Sequence, residues 1–361
     1  MVQKKILVSP LNWGLGHATR CIPIIKEFLR RGHIVDIAAT GKAKLFLQKE
    51  FPSLNFIEFP DYPAPYPENR GFLVKFALKS PNILAAIYKE KKMAAKFFQE
   101  NNYDIIISDA RFEIRAKHIP SYLIAHQIRF KVPYIVGGEL TLEYFNKYHY
   151  KKFDKIIVPD FEDNNLNLSG KLSHRLRLMK KNKLYYAGPI CDIDQEDADE
   201  DIDYYISISG VGPDRQKFED IIMEQLHNLS GNVVVSLGQP GDKEVKKVKN
   251  AVVHSYMPRE EQKEAIKRSK CVICRGGYTT VMELAALGKK ALFVPTKGQT
   301  EQEYIAKLYN QKKWFYSVKQ DKLNLSRDVS IAKSYSGFPQ KFVLEENVKN
   351  LFDNVFEKHL K

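Results

Sequence analysis

Residues 271–306 read CVICRGGYTTVMELAALGKKALFVPTKGQTEQEYIA, and their order of apolar run, glycine turn, helix and second apolar run decides the fold class. Cys271 to Cys274 has the brevity and apolarity of a strand buried in a parallel sheet. Gly276 and Gly277 then let the backbone turn sharply and approach a ligand with no Cβ in the way. A helix from about Thr280 follows, with Val281, Leu284, Ala285 and Leu287 as its core face and Gly288 as its C-cap. Ala291 to Val294 is a second buried strand, stopped by Pro295. In open α/β sheets ligands collect outside the carboxyl ends of the strands. The loop carrying Arg275, Gly276, Gly277, Tyr278 and Thr279 and the loop carrying Gln299, Thr300 and Gln302 are therefore expected to face one crevice. Glu283 on the helix can accept from both hydroxyls of a ribose, and Gln302 can donate to and accept from a sugar ring.

The same alternation runs along the rest of the chain. In the first half the strands are Lys5 to Ser9, Ile34 to Ala39, Phe56 to Phe59, Ile105 to Ser108, Pro133 to Val136 and Lys155 to Val158. Helices lie at Ala18 to Arg31 and near 80–100, which together argue a doubly wound domain over residues 1–186. Residues 187–204 turn abruptly acidic and read as a linker. A second alternating series spans 205–340, with further strands at Tyr205 to Ser209, Val233 to Leu237 and Ala251 to His254. A last helix occupies 341–361. The expected fold class is α/β, with two Rossmann-like doubly wound domains and an interdomain cleft.

Two glycine loops occupy corresponding places in the halves. Asn12, Trp13, Gly14, Gly16 and His17 lie between the first strand and the first helix, where backbone N–H groups and a helix N-terminus suit a phosphate. Ser209, Gly210, Gly212 and Arg215 repeat the arrangement in the second half. His17 is the best single candidate for a general base, since an imidazole near its normal pKa can take a proton from an attacking hydroxyl. Asp109, at a strand end, is its competitor or helper.

The 271–306 stretch resembles the C-terminal donor-binding region of GT-B glycosyltransferases, in particular the group of the lipid-linked N-acetylglucosaminyl transferase of peptidoglycan synthesis and its uncharacterised bacterial and archaeal relatives. The matching residues are Arg275, Gly276, Gly277, Glu283, Pro295 and Gln302. Glu303 stands where that group carries a second glutamine, and the departure bears on which sugar is transferred. His17 matches the histidine of a glycine-rich loop, although NWGLGH replaces the usual run and Trp13 adds a bulky wall. The resemblance also implies that Tyr256 and Met257 sit by the base, with uridine as the default, and that Arg111, His126 and Gln127 lie on the acceptor side. It implies a last helix that crosses back onto the first domain. It implies an inverting transfer of N-acetylglucosamine or another hexose from a UDP-sugar, without metal or other cofactor, to an unknown acceptor that a lipid may carry. The alternatives are a sugar-nucleotide epimerase or hydrolase of the same fold, and a non-catalytic UDP-sugar-binding protein at a membrane surface.

Composition narrows the setting. The chain has 57 Lys and Arg against 43 Asp and Glu, a net +14 that attracts any polyanion. No helix-turn-helix cue, aromatic RNA-binding strand or zinc knuckle accompanies it, so nucleic acid is not the expected partner. Residues 61–98 interleave aromatic, proline and basic residues, with Phe72, Leu73, Phe76 and Leu78 beside Lys75 and Lys79 and then Lys89, Lys91 and Lys92. They read either as an apolar patch for an anionic membrane surface or as an ordinary amphipathic helix. No run of 18 apolar residues occurs, so neither a membrane span nor a cleaved leader is expected. The four cysteines, Cys21, Cys191, Cys271 and Cys274, fit a reducing compartment. A cytoplasmic protein, peripheral on the inner face of a membrane, is the resulting expectation. Asp192 and Asp194 have metal-site spacing but lie in a solvated charge run, so no metal site is expected.

Overall fold

Two parallel sheets carry the chain, each seven strands wide, in a computed structural model that describes residues 2–63, 72–132, 136–210, 212–239 and 244–361. For residues 72–80 it describes the backbone alone. Of the strand expected at Pro133 to Val136, residues 133–135 fall outside the described residues and Val136 lies in a turn; the side chains of Phe72, Leu73, Lys75, Phe76, Leu78 and Lys79 also fall outside them. The chain divides into one unit of residues 1–66, 73–192 and 343–361 and a second of residues 67–72 and 193–342.

The first unit runs β1 (Lys5–Pro10), α1 (Leu15–Arg30), β2 (Ile34–Ala38), α2 (Gly41–Glu50), β3 (Asn55–Ile57), α3 (Phe72–Glu100), β4 (Ile105–Asp109), β5 (Ser121–Ile124), α4 (Gly138–Tyr150), β6 (Lys155–Val158) and β7 (Leu184–Tyr186). Its strand order is β3-β2-β1-β4-β5-β6-β7, and every pairing is parallel. Chain order reverses between β1 and β4, which pair from Ile6 with Ile105 to Pro10 with Asp109. A crevice therefore opens beyond their carboxyl ends. Both strands are short isoleucine, leucine and valine runs buried on both faces, as central parallel strands must be. In α1, Ala18, Cys21, Ile22, Ile25 and Phe28 recur at helical spacing and bury one stripe against the sheet.

The second unit runs β8 (Ile202–Ser207), α5 (Gly212–Gln225), β9 (Val233–Ser236), β10 (Val245–Val248), β11 (Ala251–His254), α6 (Arg259–Arg268), β12 (Ser269–Cys274), α7 (Tyr278–Ala286), β13 (Lys290–Phe293), α8 (Thr300–Lys312), β14 (Tyr316–Ser317) and α9 (Leu325–Lys333). The order is β10-β11-β9-β8-β12-β13-β14, parallel apart from the edge hairpin of β10 with β11. Its reversal lies between β8 and β12. Strand β8 begins at Ile202, inside the stretch read as linker. Ile202 and Tyr204 are buried on one face while Asp203 between them takes Lys270 at 2.9 Å, so the alternation of a half-buried strand hides within an acidic composition.

The last helix, α10 (Leu344–Leu351), continues through a π-helical turn at Phe352–Phe356 into α11 (Glu357–Leu360). It belongs to the first unit: Phe352 lies 4.5 Å from Phe28 between ring centroids, and Phe356 lies 5.0 Å from Tyr122. In α3 the exposed and buried residues alternate by turns. Ile83, Ile87, Glu90, Ala94 and Phe98 face inward, whereas Leu84, Tyr88, Lys89, Lys91 and Lys92 face solvent. No helix among the described residues is long and apolar enough to cross a membrane.

Candidate active site

At the reversal point of the first unit, α1, β4 and the loop after β5 bring together four charged or ionisable side chains, His17, Arg20, Asp109 and His126. Asp109 closes β4, fully buried, and His17 and Arg20 stand one turn apart on the facing side of α1. His17 Nδ1 lies 2.7 Å from Asp109 Oδ1. Arg20 donates from Nε and Nη2 to the two carboxylate oxygens, a fork-on-fork pair, and from Nη1 to His126 Nδ1 at 2.7 Å. Burial alone would raise the Asp109 carboxyl; Arg20 and His17 reverse this and hold it at about 2. The carboxylate is therefore ionised and is the strongest acceptor within reach of His17. Arg20 Nη2 also lies 2.8 Å from His17 Nδ1. The charge-assisted bond to Asp109 decides the tautomer, with the proton on Nδ1 and a bare lone pair on Nε2.

Burial lowers the pKa of His17, Asp109 pulls it upward, and Arg20 lowers it further; the balance falls below the usual value of 6.5. His17 is thus a neutral imidazole at pH 7. Its side chain keeps 18 % of its surface open to solvent, and among the described residues Nε2 has no partner. Asp109 is fully buried with both oxygens engaged. A shielded carboxylate, an oriented neutral imidazole and a solvent-facing lone pair make the parts of a general base.

The remaining residues of the first loop serve the loop itself. Asn12 bonds Asp61 at 2.9 Å and accepts from the Ala43 N–H at 3.0 Å, and the Trp13 indole donates to the Tyr62 carbonyl at 2.9 Å. Gly14, at φ 144, makes the turn into α1, and the Gly16 carbonyl accepts from Thr19 at 3.1 Å. Gln127 is half-buried next to His126. Arg111 departs from the acceptor-side expectation. It is fully buried, its Nε paired with Glu90 at 2.7 Å and its Nη2 donating to the Pro60 carbonyl, because α3 delivers a carboxylate that burial would otherwise leave uncompensated.

In the second unit the loops after β8 and β12 adjoin, as the strand pairing requires. Ser209 and Gly210 are exposed, Gly212 opens α5, and Val211 lies outside the described residues. Arg215 folds back onto Glu219 at 2.7 Å and the Leu237 carbonyl, away from the phosphate contact expected of it. Arg275 is likewise spent inside the protein. It is buried, donates to the carbonyls of Val294 (3.1 Å) and Asp214 (2.9 Å) and to Gln320 Oε1 (2.7 Å), and lies 4.2 Å over the Phe218 ring. It ties the strand ends to the start of α5, which shapes the loop.

Gly276 sits at φ 72, and a Cβ there would come within 2.9 Å of the buried Phe293 ring. Gly276→Ala is expected to cost about 2 kcal/mol in thermal unfolding through the left-handed backbone and that clash. An unchanged melting temperature would show that the turn tolerates a side chain. Gly277 caps α7, where Tyr278 is buried and Thr279 half-buried. Glu283, also buried, accepts from Arg259 Nη2, a partner on α6 that sequence reading did not identify. Tyr256 is half-buried and Met257 buried, in the segment that joins β11 to α6. At the other loop, Gln302 Oε1 accepts from the Thr296 N–H at 2.8 Å and Glu303 Oε1 from the Gly298 N–H at 2.9 Å, while Gln299 caps α8 and Thr300 opens it. Gln302 and Glu303 thus brace the loop from below, and the Gln302 amide nitrogen is left to donate elsewhere.

Asp192 takes Lys26 at 3.3 Å and Asp194 takes Lys267 at 3.1 Å. Arg20 is the residue that sequence reading missed at the first site. Its one visible signal was the i,i+3 spacing from His17.

Residues 215–335 match the family model described as glycosyltransferase family 28 C-terminal domain. An uncharacterized glycosyltransferase of Methanosarcina acetivorans is 27% identical over 328 residues, covering 83% of this chain and 81% of its own. One from Methanosarcina mazei is 26% identical over 324 residues with the same coverage. Among solved structures, the glycotransferase of kitacinnamycin superposes with a TM-score of 0.65 at 14% identity, over 99% of this chain and 96% of that one. MurG of Acinetobacter baumannii does so with a TM-score of 0.61 at 14% identity, over 98% and 100%. The fold is that of GT-B glycosyltransferases, and the chain is a glycosyltransferase whose residues 215–335 are similar to a family 28 C-terminal domain.

Proposed function

We propose that this glycosyltransferase moves a hexose, N-acetylglucosamine first among candidates, from a UDP-sugar held by the second unit to a hydroxyl of an acceptor held by the first. The observation that carries the reading is the His17–Asp109–Arg20 cluster, a neutral imidazole with an oriented, open Nε2. In the reaction Nε2 takes the hydroxyl proton as that oxygen bonds to the anomeric carbon. The bond from the same carbon to the diphosphate breaks, and UDP leaves with the electron pair, so the anomeric configuration inverts. The imidazolium so formed lies against the ionised Asp109, whose charge offsets it.

The donor reading rests on Glu283, Gln302 and the glycine turns after β8 and β12, which suit a ribose, a sugar ring and a diphosphate respectively. Backbone N–H groups and basic side chains would stabilise the departing diphosphate without a cation. A lipid-linked acceptor and a peripheral membrane position are supported by Leu84 and Tyr88, exposed on α3 beside Lys89, Lys91 and Lys92.

The test is calorimetry of UDP-N-acetylglucosamine binding followed by turnover with an acceptor panel. Glu283→Ala is expected to weaken donor binding by about 1.5–3 kcal/mol, the worth of hydrogen bonds to a charged group. Turnover is expected to survive EDTA. Unchanged affinity on Glu283→Ala would remove the ribose assignment, and loss of turnover in EDTA would remove the metal-free mechanism.

A further inference from the structure

Glu283, assigned to the ribose, stands with a cation already against it. It sits in the second turn of α7, only 2% exposed, and Arg259 Nη2 donates to its Oε1 from 24 residues earlier in the chain. A carboxylate this deep is costly unless a cation meets it, and the planar, weakly hydrated guanidinium is the cation that suits such a pair. The Arg259 side chain keeps 20% of its surface, so the pair opens to solvent on one side.

Arg259 opens α6, directly after the segment that carries Tyr256 and Met257. Since β11, β9, β8 and β12 are mutually parallel, that segment and the glycine turn before α7 emerge on the same edge of the sheet. The backbone around Arg259 is fixed. The Gln262 N–H donates to the Pro258 carbonyl at 3.0 Å, and the Gln262 side-chain amide donates to the Met257 carbonyl at 2.7 Å. Positions i+3 and i+4 from Arg259 are Gln262 and Lys263, so α6 offers it no carboxylate at the spacing of a helical ion pair. The guanidinium reaches to α7 instead. Arg215 and Arg275 end on carbonyls of the loops they shape, whereas Arg259 ends on a residue assigned to the ligand. It thereby links the segment assigned to the base with the carboxylate assigned to the ribose.

We propose that Arg259 is a positioning residue of the donor site, which through Glu283 sets the preference for a nucleotide that carries both ribose hydroxyls. The inference rests on the reading of Glu283 as the acceptor of those hydroxyls. A glutamate side chain turns about several bonds, and one left free among its rotamers has to be ordered at the moment of binding. Held by Arg259, it is ordered beforehand. A carboxylate offers about four lone-pair sites, so a bond from one guanidinium nitrogen is compatible with bonds from both hydroxyls. Arg259 acts through Glu283 and needs no contact of its own with the sugar.

The test is calorimetry of UDP and of its dideoxyribose analogue, which lacks both ribose hydroxyls, with the wild type, Arg259→Met, Arg259→Lys and Glu283→Ala. The wild type is expected to prefer UDP by about 10–100-fold, the worth of hydrogen bonds to a charged group. Arg259→Met is expected to bring the preference below about 3-fold, by weakening UDP while the analogue binds as before. Arg259→Lys keeps the charge beside Glu283 without the planar fork, which guards against a methionine variant that does not fold, and is expected to lower the preference by about 3-fold or more. A preference kept whole in the folded variants overturns the proposal. An equal loss for the two nucleotides also overturns it, since that places Arg259 on the diphosphate or in the fold alone. If the wild type shows no preference, or Glu283→Ala retains it, the ribose reading falls and this inference with it. If Glu283→Ala loses the preference and the Arg259 variants keep it, the ribose reading stands and Arg259 alone is removed.

Discussion

His17→Ala is expected to lower kcat by about 10²–10⁴-fold while donor affinity holds, because it removes the proton acceptor and leaves the second unit untouched. Asp109 cannot substitute. It is fully buried, its two oxygens are bonded to Arg20 and His17, and at a pKa of about 2 it is too weak a base. The pH profile carries the same signature. Since the His17 pKa is lowered, the neutral, proton-accepting form persists below the usual value of 6.5, and kcat/KM is expected to fall only as pH drops through the lowered value. An alanine variant that turns over at the wild-type rate, or an acid limb above the ordinary histidine range, would remove His17 from the mechanism.

Arg20→Met is expected to destabilise the first unit by about 3–5 kcal/mol, the cost of leaving one partner of a buried ion pair uncompensated. Arg20 is 2% exposed and Asp109 not at all, so water cannot replace the lost guanidinium. Urea unfolding measures the loss, and the double variant Arg20→Met/Asp109→Asn is expected to recover much of it, since it removes the stranded charge. A single variant as stable as the wild type would show that the pair contributes nothing. The linkage runs in the same direction for both titrating groups. Asp109, lowered from 3.8 to about 2, contributes stability that is present above its unfolded value and lost as pH falls through its folded one. His17, also lowered, stabilises fully above 6.5 and progressively less below. Acid therefore loosens the site from both sides.

The two-sheet architecture was legible because it depends on local signals: short apolar runs, glycine turns and helical periodicity recur at each βα step. The placement of Asp109 at the end of a strand, and of His17 in the segment that follows the first strand, came from the same topology. What escaped reading depends on partners far along the chain. Arg20 looks like a solvated helix residue until Asp109, 89 residues later, is folded against it. Arg111 looks like a cleft residue until Glu90 arrives from α3. Arg275 and Arg215, both placed in loops that suit an anion, are consumed by carbonyls and a glutamate whose proximity no local pattern encodes. The edge strands β10 and β14 escaped for another reason: β10 is Val-Lys-Lys-Val with every residue exposed, and β14 has two residues, so neither carries an apolar signal.

The docking of α10 and α11 against Phe28 and Tyr122 has a consequence for how the chain is made. All of the second unit except residues 67–72 lies in the single stretch 193–342, whereas the unit begun by the first strand is completed only by residues 343–361. The first half to appear is the last to be finished. Until then, the apolar surface that Phe352 and Phe356 cover is left bare.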